Sequence, residues 1–367
     1  MKQVININES SAITIMIYLS IGIALLAIGS YIYYSTLQDR LCNNMNALYG
    51  EINGKMHTID TSKQQYKYNF KDYYIKTAYN ACSGGSYNNS YVDTCILKDL
   101  LKQGVRGLDF EIFSIDDDPV VSTTPNDSDE YCNKDTFNYV KFSEVMNILD
   151  NYAFDNSSSP NSGDPIILHL RIKSSNISMY KNFAKLFEKY STRMMGKSTS
   201  YENGGKNFGN TPLEQMKGKI ILIVDKRNNA FMDVPEFYEY INMTSNSVFM
   251  RALHYYDIKY TPDINELIES NRICMTIGMP DKGNDPENPS AVVMRECGCQ
   301  MLAMRYQLFD EYLQENNMFF DNHGSAFVLK PERLRQKDIS IPAPPDQNPE
   351  LSYATRSVKS DFYDFEI

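Results

Sequence analysis

Two short runs place side chains that could do proton or phosphate chemistry at matched spacing. Asp109 and Glu111 stand two apart in Gly104-Val-Arg-Gly-Leu-Asp-Phe-Glu111, and His169 and Arg171 stand two apart in Asp164-Pro-Ile-Ile-Leu-His-Leu-Arg171. Residues two apart in a strand point to one face, so each run presents a pair. Paired carboxylates hold a divalent cation or accept an arginine fork. An imidazole shuttles protons near neutral pH, and a guanidinium binds phosphate or stands where a metal charge would. Lys173 reads either as a phosphate contact or as a solvated strand end.

These pairs need strands to carry them. Val105–Phe113, Pro165–Ile172, Gly218–Asp225, Arg272–Gly278 and Cys299–Tyr306 are apolar runs of strand length. Between them, Phe142–Phe154 and Met179–Thr192 have helical spacing, the first preceded by Thr136 and Asn138 as candidate caps. Strand–helix alternation over this length suits a (β/α)8 barrel of about 250 residues. Asn156–Gly163 and Ser198–Gly209 read as loops, Asp116–Asp118 as a turn, and residues 338–367 as a Pro-rich, acidic, disordered tail.

Between Glu9 and Asp39 no residue is charged. The stretch 12–35 is long enough to cross a bilayer once, which needs about 20 apolar residues, and Tyr31, Tyr33 and Tyr34 suit its interface. A cleaved signal peptide or a buried core helix are the alternatives. The sequence therefore divides into a short tail (1–11), a membrane anchor (12–35), a polar juxtamembrane stalk (36–68), a barrel domain (69–337) and the tail. The expected location is a membrane, single-pass, with topology open, and the bilayer is one expected partner. A net charge of −10 argues against nucleic acid as another, because phosphate binding needs clustered Lys and Arg. Trp is absent while Tyr numbers 27, a bias toward A/T-rich codons that suits a large DNA virus or an A/T-rich microbe. All seven Cys follow the anchor without CxxC spacing, which argues against a metal site; disulfides require an oxidising compartment. Sequons at Asn88, Asn126, Asn156, Asn176 and Asn242 would permit glycosylation there.

The closing segment resembles that of phosphoinositide-specific phospholipases C. Gly298-Cys-Gln-Met-Leu-Ala303 is followed, after an acidic linker, by Asn322-His-Gly-Ser-Ala-Phe-Val-Leu-Lys-Pro-Glu-Arg-Leu-Arg335. Gly104–Glu111 with Pro119-Val-Val121, Val145–Phe154, Asp164–Arg171 and Met216–Ile223 resemble further family segments in family order. The resemblance implies a phospholipase C-like TIM barrel and a phosphoric diester hydrolase of lipid metabolism. It implies two catalytic histidines, one before an Asn at the end of the first strand and one after the third, with a Ca²⁺ held by Asn and carboxylates.

Those positions have changed. The first histidine position is Tyr79, a phenol that stays protonated near pH 7, and the second is Thr123. The implied Ca²⁺ ligands survive in part, as Asn80, Asp109 and Glu111, while the fourth-strand carboxylate is Arg171. Ca²⁺ is thus a conceivable cofactor with an incomplete site. The basic headgroup contacts are replaced by Ile223-Val-Asp225 and Thr276–Pro280. Three readings of Asn80, Asp109, Glu111, Arg171 and Lys173 stand open: a buried ion-pair network, a ligand-binding cluster for a phosphoinositide or other phosphodiester, or residual catalysis. In the last, His169 or Arg171 substitutes for the missing groups. His169 reads otherwise as a satisfied interior histidine, and His323 as a loop residue. A degenerate enzyme and an active phosphodiesterase with a remodelled site are both compatible with the chain, as is a scaffold presenting its tail.

Overall fold

The computed structural model describes residues 9–125, 133–200, 205–337 and 355–367. Helix α1 (Glu9–Ser35) is followed after one residue by α2 (Leu37–Tyr49). The barrel strands are then β1 (Tyr73–Ala78), β2 (Gly107–Ile115), β5 (Ile166–Ile172), β6 (Ile220–Asp225), β7 (Met243–Ser245), β8 (Met250–His254), β9 (Met275–Met279) and β10 (Met301–Met304). A hairpin strand β3 (Asp118–Ser122) and a short β4 (Val140–Lys141) follow β2, and β11 (Phe327–Leu329) ends the domain. Around them lie α3 (Thr94–Lys102), α4 (Phe142–Ile148), α5 (Ile177–Lys189), α6 (Pro235–Tyr238), α7 (Tyr255–Lys259), α8 (Ile264–Ile273), α9 (Ala291–Glu296) and α10 (Glu311–His323).

The eight barrel strands run parallel in the order β7-β6-β5-β2-β1-β10-β9-β8, which is chain order around a ring. The ring is nearly closed: β7 and β8 end the order and share no ladder. Strands such as Ile166–Ile172 and Ile220–Asp225 are buried at every position, as parallel strands covered on both faces must be. Gly107 is required by close approach, since a Cβ there would lie 2.3 Å from Thr77 Oγ1 on the neighbouring strand. The β2–β3 hairpin turns at Asp116 and Asp117, both with positive φ, the geometry of a tight two-residue turn.

Buried Arg106 closes the end of the barrel where the strands begin. Its guanidinium donates to Ala153 O (2.9 Å), Ser159 Oγ (2.6 Å) and Asn161 Oδ1 (2.7 Å). It thereby ties the loop after α4 to β2, and burial pulls its pKa down to about 10.

Several local expectations need correction. Strands β7 and β8 were not visible in the sequence, and residues 272–273 belong to α8 rather than to a strand. Neither Thr136 nor Asn138 caps α4; its N-cap is Lys141, because residues 140–141 pair with β3. Asn138 instead bridges the Val92 backbone, accepting from its N–H (2.9 Å) and donating to its carbonyl (2.8 Å). The polar segment 36–68, read as a juxtamembrane stalk, opens with helix α2. Its α2 buries Met45 and Tyr49, and Tyr49 donates to Tyr306 O at 3.0 Å. A disulfide joins Cys42 on α2 to Cys95 on α3.

Of the tail read as disordered, residues 338–354 lie outside the described residues. The rest contradicts that reading: β12 (Ser357–Lys359) and β13 (Asp364–Glu366) form an antiparallel hairpin within a separate unit, residues 336–367. A chain reversal at Ser360–Tyr363 lets Val358 pair with Phe365.

Candidate functional site

The strand register builds the central cluster. Along the β2–β5 ladder Asp109 pairs with His169 and Glu111 with Arg171, so four polar side chains enter the barrel mouth as a square. All are buried. The Arg171 guanidinium donates through Nε to Asp109 Oδ1 (3.0 Å) and through Nη2 to Asp109 Oδ2 (2.7 Å). It also donates to Glu111 Oε1 (2.6 Å) and Asn80 Oδ1 (2.9 Å).

The one carboxylate oxygen that Arg171 leaves, Glu111 Oε2, also has a donor, and both Asp109 oxygens have a second partner. His169 Nδ1 lies 2.7 Å from Asp109 Oδ1, the Asn80 N–H donates to Asp109 Oδ2 (3.2 Å), and the Thr124 N–H donates to Glu111 Oε2 (2.9 Å). Asn80 reaches the cluster because it leaves β1 with a positive φ of 47°, a conformation Asn tolerates better than most residues. Its amide nitrogen has no partner among the described residues.

Burial by itself would raise the pKa of Asp109. The Arg171 charge and the His169 hydrogen bond outweigh it and hold this carboxyl far below the ordinary range. For Glu111 burial prevails over Arg171 and Lys173, and its pKa rises. Arg171 stays charged: burial opposes the charge, but Asp109 leads the groups that more than restore it.

Tyr79 directly follows β1 and lies over this cluster, its ring centroid 4.5 Å from the Arg171 guanidinium carbon. Burial drives its phenol pKa well above the usual value, so it stays protonated. Tyr79 packs edge-on against Tyr87 (5.8 Å), and Arg305 lies over Tyr87 at 5.1 Å. Arginine, two tyrosines and arginine therefore form a continuous stack of cation–π and edge-to-face contacts across the mouth.

The loop carrying Tyr87 is laced down on its outer side. Thr123 donates its hydroxyl to Tyr87 O (3.1 Å), Tyr87 N–H donates to Asn284 O (2.9 Å), and Gln307 donates to Gly85 O (3.2 Å). Thr123 is thus buried under this loop rather than facing an open pocket. The hollow bordered by Arg171, Ile172, Lys173, Asp225, Arg227 and Asn228 has a volume of about 10 Å³, at most the room of one water. Lys173, read as a phosphate contact or a solvated strand end, is buried at this edge.

Three participants escaped the sequence reading. Ser245, at the end of β7, lies 2.9 Å from His169 Nε2 and completes a buried Asp109–His169–Ser245 chain. Tyr87 and Arg305 complete the stack. Ser245 and Tyr87 lie in no motif; Arg305 lies in the Cys299–Tyr306 run, where nothing in the spacing marks a role at the mouth. The other histidines lie outside the cluster: His254 ends β8 with Nδ1 2.7 Å from Pro280 O, and His323 ends α10 with Nδ1 2.8 Å from Phe319 O.

Residues 66–226 match the family model for the phosphatidylinositol-specific phospholipase C X domain, and residues 236–333 match that for the Y domain. Together the two matches span most of the chain. The chain belongs to the phosphatidylinositol-specific phospholipase C family. Within this phospholipase C-like barrel, the cluster of Asp109, Glu111, His169 and Arg171 falls in the X half, while Ser245 and Arg305 come from the Y half.

The solved structure of L. pealei PLC21 is similar over 74% of this chain and 38% of that protein, with 17% identity and a TM-score of 0.60. S. officinalis PLC21 is similar over 75% and 39%, with 16% identity and a TM-score of 0.59. At such identity the likeness speaks for the fold. The chain spans under two-fifths of either protein's length. No curated protein matches the sequence.

Proposed function

We propose that this protein is a membrane-tethered phospholipase C-like barrel that has given up phosphodiester transfer and serves as a structural or binding module. The observation that carries the reading is Arg171, whose guanidinium contacts Asn80, Asp109 and Glu111 together. Ca²⁺ takes six to eight oxygen ligands. Here the five oxygens that the family resemblance assigns to it already accept hydrogen bonds, four of them from a resident cation. The residues present do not fit the metal.

Two further features support loss of turnover. The residues at the family's histidine positions, Tyr79 and Thr123, are buried, and neither titrates near neutral pH. Acid–base groups are worth about 10²–10⁴ in rate each, so an enzyme without them is slow even with substrate in place. The stacked Tyr79 and Tyr87 then occupy the mouth through which a headgroup would enter. Tethering rests on Ile13–Ser35, 23 residues of mean hydropathy 2.2 and long enough to cross a bilayer.

One observation favours a second reading. The Asp109–His169–Ser245 chain has the spacing of a nucleophile, base and orienting carboxylate. On that reading the barrel is a remodelled phosphodiesterase of lipid metabolism, and the loop carrying Tyr87 lifts to admit substrate.

The full chain, purified in detergent and reconstituted in vesicles, would be given phosphatidylinositol and glycerophosphodiesters with and without Ca²⁺. Absence of product from a folded protein is the expected result. Turnover abolished by His169→Ala would overturn the first reading in favour of the second.

A further inference from the structure

We propose that the barrel resides on the oxidising, non-cytoplasmic side of the membrane and carries an N-linked glycan on Asn156. The first support is the Cys42–Cys95 disulfide, with Cα atoms 5.9 Å apart. Cytosolic thiols are kept reduced, so a structural disulfide indicates an oxidising compartment. The bridge sits in a built interface rather than between loose ends. On either side of it Gln38 donates to Asp93 Oδ2 (2.6 Å) and Asn46 donates to Asp99 Oδ1 (3.4 Å), joining α2 to α3 along its length. An anchor with its N-terminus in the cytoplasm and a cleaved leader would both deliver the following domain to that side. The inference holds for either fate of α1.

The second support comes from sorting the sequons by their surroundings. A glycan needs an asparagine whose amide nitrogen is reachable and not committed to the fold. Asn242 is buried, its Oδ1 accepting from Leu222 N–H (2.9 Å). Asn176 commits its amide to Ser114 Oγ (3.0 Å) and Asp117 Oδ1 (2.7 Å), and its Oδ1 caps α5 through Ser178 N–H (3.0 Å). Asn126 lies outside the described residues. Asn88 is half-buried in the loop that roofs the mouth, with its backbone N–H bonded to Asn284.

Asn156 differs in exposure from the other described sequon asparagines. It is exposed, it accepts from the Ser162 hydroxyl, and its amide donates to no described residue. Its position also fits. Tyr34, at the end of the candidate span, packs on Phe137 (5.5 Å), and its carbonyl accepts from the Tyr91 hydroxyl (3.4 Å), so α1 meets the barrel at its mouth. Asn156 lies in the loop fastened by Arg106 at the opposite end. A glycan there would project away from the bilayer.

Both modifications balance with reagents of that compartment. Disulfide formation removes two protons and two electrons from the Cys42 and Cys95 thiols, and a disulfide-bearing oxidant accepts them. Glycosylation forms a bond from Asn156 Nδ2 to the anomeric carbon of a sugar. It breaks that carbon's bond to the diphosphate of a polyprenyl-linked donor and releases one amide proton.

The test is expression of the full chain in a eukaryotic host with an active secretory pathway. Peptide mapping without reductant should recover Cys42 joined to Cys95. Enzymatic deglycosylation should shift the mobility of the wild type, and Asn156→Gln and Ser158→Ala should each remove one glycan's step while Asn242→Gln removes none. A chain whose Cys42 and Cys95 both alkylate before reduction overturns the compartment. A disulfide-bonded chain with no glycan, or with glycans undiminished in Asn156→Gln, overturns the assignment to Asn156.

Discussion

Glu111 and Arg171 are register partners across the β2–β5 ladder, and the Arg171 guanidinium donates to Glu111 Oε1 at 2.6 Å. The same ladder sets Asp109 opposite His169. The cluster is therefore fixed by strand pairing in the barrel wall, so its geometry has the stiffness of the sheet rather than of a loop.

Removing the cation from this setting should be costly. Arg171→Ala leaves two buried carboxylates without their counter-charge, and we expect a loss of about 3–5 kcal/mol in urea unfolding. Replacing Asp109 with Asn and Glu111 with Gln in that background should recover part of the loss, because the sites share one network.

Calcium should leave the wild-type thermal midpoint unchanged at millimolar concentration. Arg171→Asp restores a carboxylate where the cation stood. In that variant a Ca²⁺-dependent rise in midpoint is expected, since a ligand that binds only the folded state stabilises it by mass action.

Reinstating imidazoles alone should not restore chemistry. In Tyr79→His with Thr123→His, Tyr87 and Arg171 still fill the mouth, and release of inositol phosphate from phosphatidylinositol should stay at background in a vesicle assay. Measurable turnover in that variant would mean that the loop carrying Tyr87 opens readily.

Lys330 supplies a pH signature at the other end of the barrel. Burial, opposed in part by Asp72, pushes its pKa down to about 7, against about 10.4 in an unfolded chain. Between those values the unfolded chain holds a proton that the folded one lacks, so this residue makes stability rise with pH across that window. Lys330→Met should remove that rise, read as the difference between wild-type and variant denaturant midpoints from pH 7 to pH 10. Groups titrating in both proteins cancel in that difference.

Reduction should loosen α2 from the barrel. The Cys42–Cys95 bridge closes a sequence separation of 53 residues. The chain-entropy relation puts its effect at about 4 kcal/mol, measurable as a lower unfolding midpoint in dithiothreitol or in Cys42→Ser with Cys95→Ser.

The β2 and β5 segments were legible in the sequence because long apolar runs carried polar residues at period two, and the family segments fell in order. That spacing brought Asp109, Glu111, His169 and Arg171 to one face. Short strands such as Met243–Ser245 lack enough residues to display a period, so Ser245 stayed hidden along with the strand that holds it. The closure of the mouth was equally out of reach. It depends on Tyr87 meeting Tyr79 and Arg305, residues brought together only by the ring. The docking of α2 is hard to read from segment 36–68 because that helix is mostly polar and buries only Met45 and Tyr49.

The unladdered seam between β7 and β8 gives the ring a built-in point of weakness. Their facing backbone edges lack the reciprocal bonds that lock every other neighbour in the circle. Solvent exchange at amides along that edge should run ahead of the rest of the wall, and unfolding should begin there, within the Y half and away from the β2–β5 ladder that holds Arg171.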